Sequence, residues 1–168
     1  MPNTYTPIVS QTLSSATNSI TFSSIPSTYT DLILICSCAS SLGSGSPSLG
    51  VQFNNDTSTN YSLSQLVGTG SAASSNRSTS ATEGQLGNMP TASGAFSSII
   101  AHFMGYSNNT TNKTVLARSS DADNYVILRA NLWRNTSAIT TIRLFEGSAS
   151  NLVVGSTFTL YGIKAAQA

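Results

Sequence analysis

Charge is what this chain has least of. Asp, Glu, Lys and Arg make up 8% of its 168 residues, against about 25% in an ordinary soluble domain. Seven basic and six acidic residues leave a formal net charge of +1, too small to steer the chain toward nucleic acid or anionic lipid. Most of the cations (Lys113, Arg118, Arg129, Arg134, Arg143 and Lys164) lie in the second half but are spaced apart rather than clustered. The longest apolar run, Leu32–Cys36, falls far short of the roughly 20 residues that a spanning helix needs. The opening Met-Pro-Asn-Thr-Tyr-Thr-Pro has neither a basic start nor an apolar stretch, so no secretory leader is expected. These absences predict no nucleic-acid partner, no membrane span, and synthesis in a cytoplasm.

Chemically reactive side chains are equally scarce. An enzyme needs a nucleophile with its base, a carboxylate pair or a metal. His102 is the single histidine; it shares a strand face with Ile100 and Met104 and is expected to be hydrogen-bonded or interfacial. At a subunit contact it would make assembly pH-sensitive. The acids Asp31, Asp56, Glu83, Asp121, Asp123 and Glu146 are scattered. Only Asp121–Asn124 gathers several oxygens, and it lacks the twelve-residue calcium-loop pattern, so it reads as a polar turn. Cys36 and Cys38 are the only cysteines. Two apart on a strand they point the same way, a disulfide between them would be strained, and they cannot complete a zinc site. Two small buried residues are expected there. Gly43-Ser-Gly45 and Gly68-Thr-Gly70 lack the Lys-Ser/Thr that follows in a phosphate loop. No catalytic residue, metal site or cofactor is expected.

What the sequence does have is strands and turns. Helical apolar stripes are missing, whereas period-two runs recur. Asp31–Ala39 is almost continuously apolar, as a strand buried on both faces would be. Phe96–Tyr106 and Asn124–Trp133 are long and rich in β-formers, and Ile139–Phe145 and Ser156–Ile163 alternate cleanly. In Asn124–Trp133, Val126, Leu128, Ala130 and Leu132 share one face; Tyr125, Ile127, Arg129, Asn131 and Trp133 share the other. One face of such a sheet is expected to bury the aliphatics and the other to carry Ser, Thr, Asn and Tyr. Weaker candidates are Ile8–Leu13, Ser19–Phe22, Leu49–Phe53, Tyr61–Val67 and Lys113–Arg118. About ten strands joined by short turns such as Asn54-Asn55-Asp56 and Glu146-Gly147-Ser148 predict an all-β antiparallel sandwich or barrel.

Two segments are expected to stand outside the sandwich. Residues 1–18 hold two prolines and no core-sized run, predicting an extended N-terminal arm, with the domain proper at 19–168. Gly68–Thr82 is low in complexity and reads as a long exposed loop. Aromatic and amide residues placed together would suit a sugar; Tyr106 with Asn108, and Trp133 with Asn135, are the candidates.

The strand sequences also carry a resemblance. Phe22-Ser-Ser-Ile-Pro-Ser-Thr-Tyr-Thr-Asp-Leu-Ile-Leu and Val51-Gln-Phe-Asn-Asn-Asp-Thr-Ser-Thr-Asn-Tyr61 resemble a pattern common in tailed-bacteriophage virion proteins. So do Leu132-Trp-Arg-Asn-Thr-Ser-Ala-Ile-Thr-Thr-Ile-Arg-Leu and Gly155-Ser-Thr-Phe-Thr-Leu-Tyr-Gly-Ile. The resemblance covers residues about 19–163. It implies a β-sandwich of jelly-roll type found in phage structural components, capsid cement or decoration proteins and fibre-tip modules, with no catalytic residues. The short chain opening on Met favours a stand-alone decoration subunit on the outer capsid surface, bound to the major capsid protein. Symmetry suggests a homotrimer over a three-fold junction. In that expectation the arm grips a neighbour through Tyr5, Pro7 and Ile8. The alternative is a receptor- or host-glycan-binding module of a fibre, using Tyr106, Asn108, Trp133 and Asn135.

Overall fold

Runs of β-branched and aromatic residues, punctuated by Asn, Asp, Gly and Ser, fold here into strands. A computed structural model describes residues 4–91, 93–121 and 124–164. The strands are β1 (Tyr5–Thr12), β2 (Ser19–Phe22), β3 (Asp31–Cys38), β4 (Ser48–Phe53), β5 (Tyr61–Gly68) and β6 (Ala73–Ala81), then β7 (Gly84–Asn88), β8 (Ser97–Met104), β9 (Lys113–Asp121), β10 (Tyr125–Trp133), β11 (Ile142–Glu146) and β12 (Thr157–Ile163). Every pairing is antiparallel, and together they make an all-β sandwich. An eight-stranded sheet runs β1-β12-β3-β8-β9-β10-β5-β6 and a four-stranded sheet runs β2-β11-β4-β7.

The strand order shows how the chain winds. The passes β1–β2, β3–β4, β7–β8 and β11–β12 each cross from one sheet to the other. They lie side by side as β1-β12-β3-β8 in one layer and β2-β11-β4-β7 in the other. The hairpins β5–β6 and β9–β10 are inserted into this wrap, and both add to the β8 side of the large sheet. The large sheet therefore outgrows its cover.

Two expected excursions are strands instead. Tyr5–Thr12, expected within an extended arm in which Ile8–Leu13 is a weaker strand candidate, pairs with β12 along its length, and Leu13 is buried. Without β1, β12 would present an open edge of unpaired donors and acceptors. Ala73–Ala81, expected within a loop, pairs with β5. Its Ser, Thr and Asn side chains bury nothing and leave no hydrophobic signal, yet backbone hydrogen bonding alone builds the ladder. Residues 1–3 and 165–168 lie outside the described residues.

The core lies between the sheets. Leu32, Leu34, Cys36 and Cys38 from β3 meet Ile20, Phe22, Leu49, Val51, Ile142 and Leu144 from the small sheet. Both cysteines are free and buried as expected, and burial pushes the Cys38 thiol up to about 12. Strand β3 is buried on only one face, because Ile33 and Ile35 look outward and Ile35 is exposed. Strand β7 approaches the large sheet so closely that a Cβ on Gly87 would sit 2.5 Å from Ser119 Cβ; only glycine fits there.

An aromatic cluster closes one end. Phe53 packs against Trp133, Tyr61 and Phe103 at centroid distances of 5.4, 6.1 and 5.8 Å. The Asn54-Asn55 turn takes left-handed φ values of 51° and 58°, which asparagine tolerates. It brings Asp56 beneath the cluster. Trp133 Nε1 donates to Asp56 Oδ2 at 2.7 Å, and Asn60 Nδ2 and Ser58 N donate to the same carboxylate. Partial burial pushes the Asp56 carboxyl up, but these hydrogen bonds outweigh it and hold the group at about 2.

A carboxyl held below its unfolded value of about 3.9 stabilises the fold above that pH. The contribution fades as pH falls toward the folded value of about 2. Replacing an ionised acceptor with a neutral amide weakens such bonds, so Asp56→Asn is expected to cost about 1–2 kcal/mol at neutral pH. The cost should vanish toward pH 2. Urea unfolding followed by the fluorescence of the single Trp133 at pH 7 and at pH 2 checks this; an equal cost at both would refute it.

Candidate interaction surface

The alternation of β10 is where the structure departs most from expectation. Ile127, Arg129, Asn131 and Trp133 point inward and are buried, while Val126, Leu128 and Ala130 point to solvent and Leu132 is half-buried. The aliphatic row lies on the outside. The cause is local: β10 runs beneath the margin of the small sheet, where β7 has an open edge needing polar partners. Asn131 Oδ1 accepts from Gln85 N at 2.9 Å and its Nδ2 donates to Gln85 O at 3.0 Å, so the amide stands in for a neighbouring strand. Arg129 reaches further, donating through Nε to Gln65 Oε1 and through Nη2 to Asn88 Oδ1, with Nη1 meeting no acceptor among the described residues. Burial without a carboxylate partner pulls Arg129 down to about 10.

Strand register carries the outward row across the sheet. Leu128 lies opposite Leu66 of β5 on one side and Arg118 of β9 on the other; Ala130 lies opposite Ser64 and Leu116. His102 and Ile100 of β8 continue the row to Ile33 and Ile35 of β3. Val126 is 68% exposed and Leu66 59%, and Leu116, Leu128, Met104 and Ile35 also stand open to solvent. Small residues at the floor and longer ones at the sides shape two adjoining open grooves of about 480 and 570 Å³, which share Ser64, Arg77, Leu116 and Ala130.

The same face carries Arg77, Arg118 and Arg134, all exposed, and none of them forms an ion pair among the described residues. The Arg134 guanidinium donates to Ser62 Oγ. Among the described residues the one acid on the face is Asp31, already engaged: Oδ2 lies 3.1 Å from His102 Nε2 and Oδ1 accepts from Gly105 N. His102 is thus hydrogen-bonded within this face. Among the described residues the surface offers aliphatic area and cationic groups, with no spare carboxylate.

The residues singled out by sequence fall into two places. Tyr5 and Pro7 are exposed on the outer side of β1, Tyr5 lying edge-on to Tyr161, while the half-buried Ile8 packs against the core. They belong to the far end of this same sheet. Tyr106 and Trp133, expected to offer their rings to a sugar, are each 1% exposed. The Tyr106 hydroxyl donates to Pro26 O and the Trp133 indole to Asp56, and neither ring face is free to stack on a ligand. Asn108 Oδ1 is taken by Thr110 and Thr111, and Asn135 Oδ1 by Ser137 N. All four are turn and core residues. Of the Asp121–Asn124 turn, Asp123 lies outside the described residues, and the buried Asp121 accepts from Asn124 Nδ2. Among the described residues no group of three or more His, Cys, Asp or Glu is placed to share a metal.

Compared with known proteins, the chain matches no protein-family model and no curated protein.

Outward aliphatics contribute little to the fold. Leu128→Asp and Leu66→Asp are each expected to shift the unfolding free energy by less than about 0.5 kcal/mol, whereas Leu34→Ala in the core should cost about 2–5 kcal/mol. Equilibrium urea denaturation of the three variants decides this. A Leu128→Asp cost as large as that of Leu34→Ala would place the side chain inside the core.

Proposed function

We propose that this protein is a structural subunit that docks on a larger protein assembly, specifically a cement or decoration protein on the outer surface of a phage head. The observation that carries the reading is the outer face of the eight-stranded sheet. Contiguous exposed apolar patches on soluble proteins mark interaction sites, and this one is broad, shallowly grooved, aliphatic and interspersed with arginines that form no ion pair among the described residues. It suits a broad protein surface better than a small substrate. Burial of such area is worth about 25 cal/mol per Å², and repetition over many copies on one particle multiplies weak contacts into stable attachment.

Two further observations support the virion reading. The wrap of β1–β4, β7, β8, β11 and β12 into two four-stranded layers has the strand order of an eight-stranded double-sheet jelly roll, the fold that the resemblance implies. The scarcity of charge leaves little self-repulsion to oppose dense packing of copies side by side.

Undecorated heads of the virion encoded alongside this chain, mixed with purified protein and sedimented, test the proposal. Leu116→Asp/Leu128→Asp is expected to cut the copies bound per head at least about tenfold, a loss of 1.4 kcal/mol or more per site. Ser148→Asp, on a turn between β11 and β12, should bind as the parent does. Full binding by the double variant would sink the proposal.

A further inference from the structure

Strand register places one charge at the middle of the outer aliphatic face. Ile35 of β3, Ile100 of β8, Arg118 of β9, Leu128 of β10 and Leu66 of β5 lie opposite one another in a single row. Arg118 stands on the central strand of these, with two aliphatics to either side, and Leu116 is the next outward residue along β9. Opposed side chains lie about 5 Å apart at Cβ, so Ile100 and Leu128 border the arginine directly. Its side chain is exposed and makes no ion pair or hydrogen bond among the described residues. Water satisfies the guanidinium while the face is open. A partner broad enough to cover the row strips that water away, and a cation covered without a counterion is costly. Among the described residues this face has no free carboxylate to supply one: Asp31 is held by His102 and Gly105.

We infer that the partner seated on this face is a protein surface of aliphatic side chains centred on an Asp or Glu that pairs with Arg118. The inference rests on the docking role proposed above and adds the chemistry of the partner. Two other occupants match the face poorly. A second copy of the same face brings Arg77, Arg118 and Arg134 again with the same engaged Asp31, so each cation meets another cation or an aliphatic. A nucleic acid answers the charge, but the outward residues of β8, β9, β10 and β5 include no Phe, Tyr or Trp on which bases could stack, and their aliphatics would lie against phosphate. An arginine inside a collar of apolar contact area is the arrangement of interface hot spots. The aliphatics exclude water, and the guanidinium binds a carboxylate through two parallel hydrogen bonds.

Sedimentation of Arg118→Met with undecorated heads, beside the parent, tests it. The exposed, unpaired side chain can be removed without loss of fold, so the variant is expected to keep the parent's urea midpoint. Its head binding should fall at least about thirtyfold, the effect of leaving a covered carboxylate without its partner. The parent's binding should weaken with added NaCl more steeply than the variant's. Binding by Arg118→Met as tight as the parent's, or tighter, would overturn the inference, because an apolar side chain then suits the partner better than a cation. If Leu116→Asp/Leu128→Asp still loses binding in that case, the docking role stands and only the acid is wrong. If neither variant loses binding, the docking role itself has failed. A labelled single-stranded oligonucleotide is expected not to bind the parent; binding that Arg118→Met abolishes would overturn the inference in favour of a nucleic-acid partner.

Discussion

Four strands cannot cover eight. Adjacent strands are about 4.8 Å apart, so the small sheet shields roughly half the width of the large one. The other peculiarities of this fold follow from that mismatch. The inserted hairpins widen the layer that holds β8, and past β7 there is no second sheet to bury against. Beneath this margin the inward positions of β10 and β5 carry Arg129, Asn131 and Gln65; Asn131 bonds the Gln85 backbone of β7, Arg129 reaches the Asn88 amide of β7, and Gln65 accepts from Arg129. The aliphatics of the same strands are left facing out.

Buried charge is handled in one consistent way. Lys113 donates to the carbonyls of Thr111 and Thr136, Glu146 accepts from Ser40, Ser148 and Ser150, and Arg129 is held by two side-chain amides. Each ion is solvated by neutral dipoles rather than by an opposite charge; burial accordingly lowers both Lys113 and Arg129 from their usual values. With so few ionic groups, and several of them spent inside, the exterior is governed by hydroxyls, amides and apolar patches. Such surfaces associate with low desolvation cost, which is the physical link between composition and the docking role proposed.

Much of the fold was legible in sequence because most strands alternate against a real core. β8, β10, β11 and β12 lie where their periodicity put them, β3 lies on its apolar run although only one of its faces is buried, and the Asn54-Asn55-Asp56 turn forms as its residues favour. What stayed hidden did so for identifiable reasons. From Ala73 to Ser80 strand β6 buries no side chain, so a reading based on hydrophobic period could not see it. Strand β7 holds two glycines with close neighbours, Gly87 against Ser119 and Gly84 against Val51 and Asn131. The outer face was misassigned because the row Val126, Leu128, Ala130 is the more apolar of the two on β10. Only the position of β7 explains why Arg129 and Asn131 go inside. Tyr106 and Trp133 looked like surface aromatics beside Asn108 and Asn135, but their polar atoms are satisfied by Pro26 and Asp56 within the fold.

The central claim is that the outer face of the large sheet seats this protein on a viral shell. Imaging intact particles that carry a labelled copy tests that claim most directly. The account predicts regular label over the head in many copies, with the β9-β10-β5 face toward the shell and the four-stranded sheet outward. Label confined to the tail or its fibres, or a head-bound subunit with the four-stranded sheet against the shell, would contradict it.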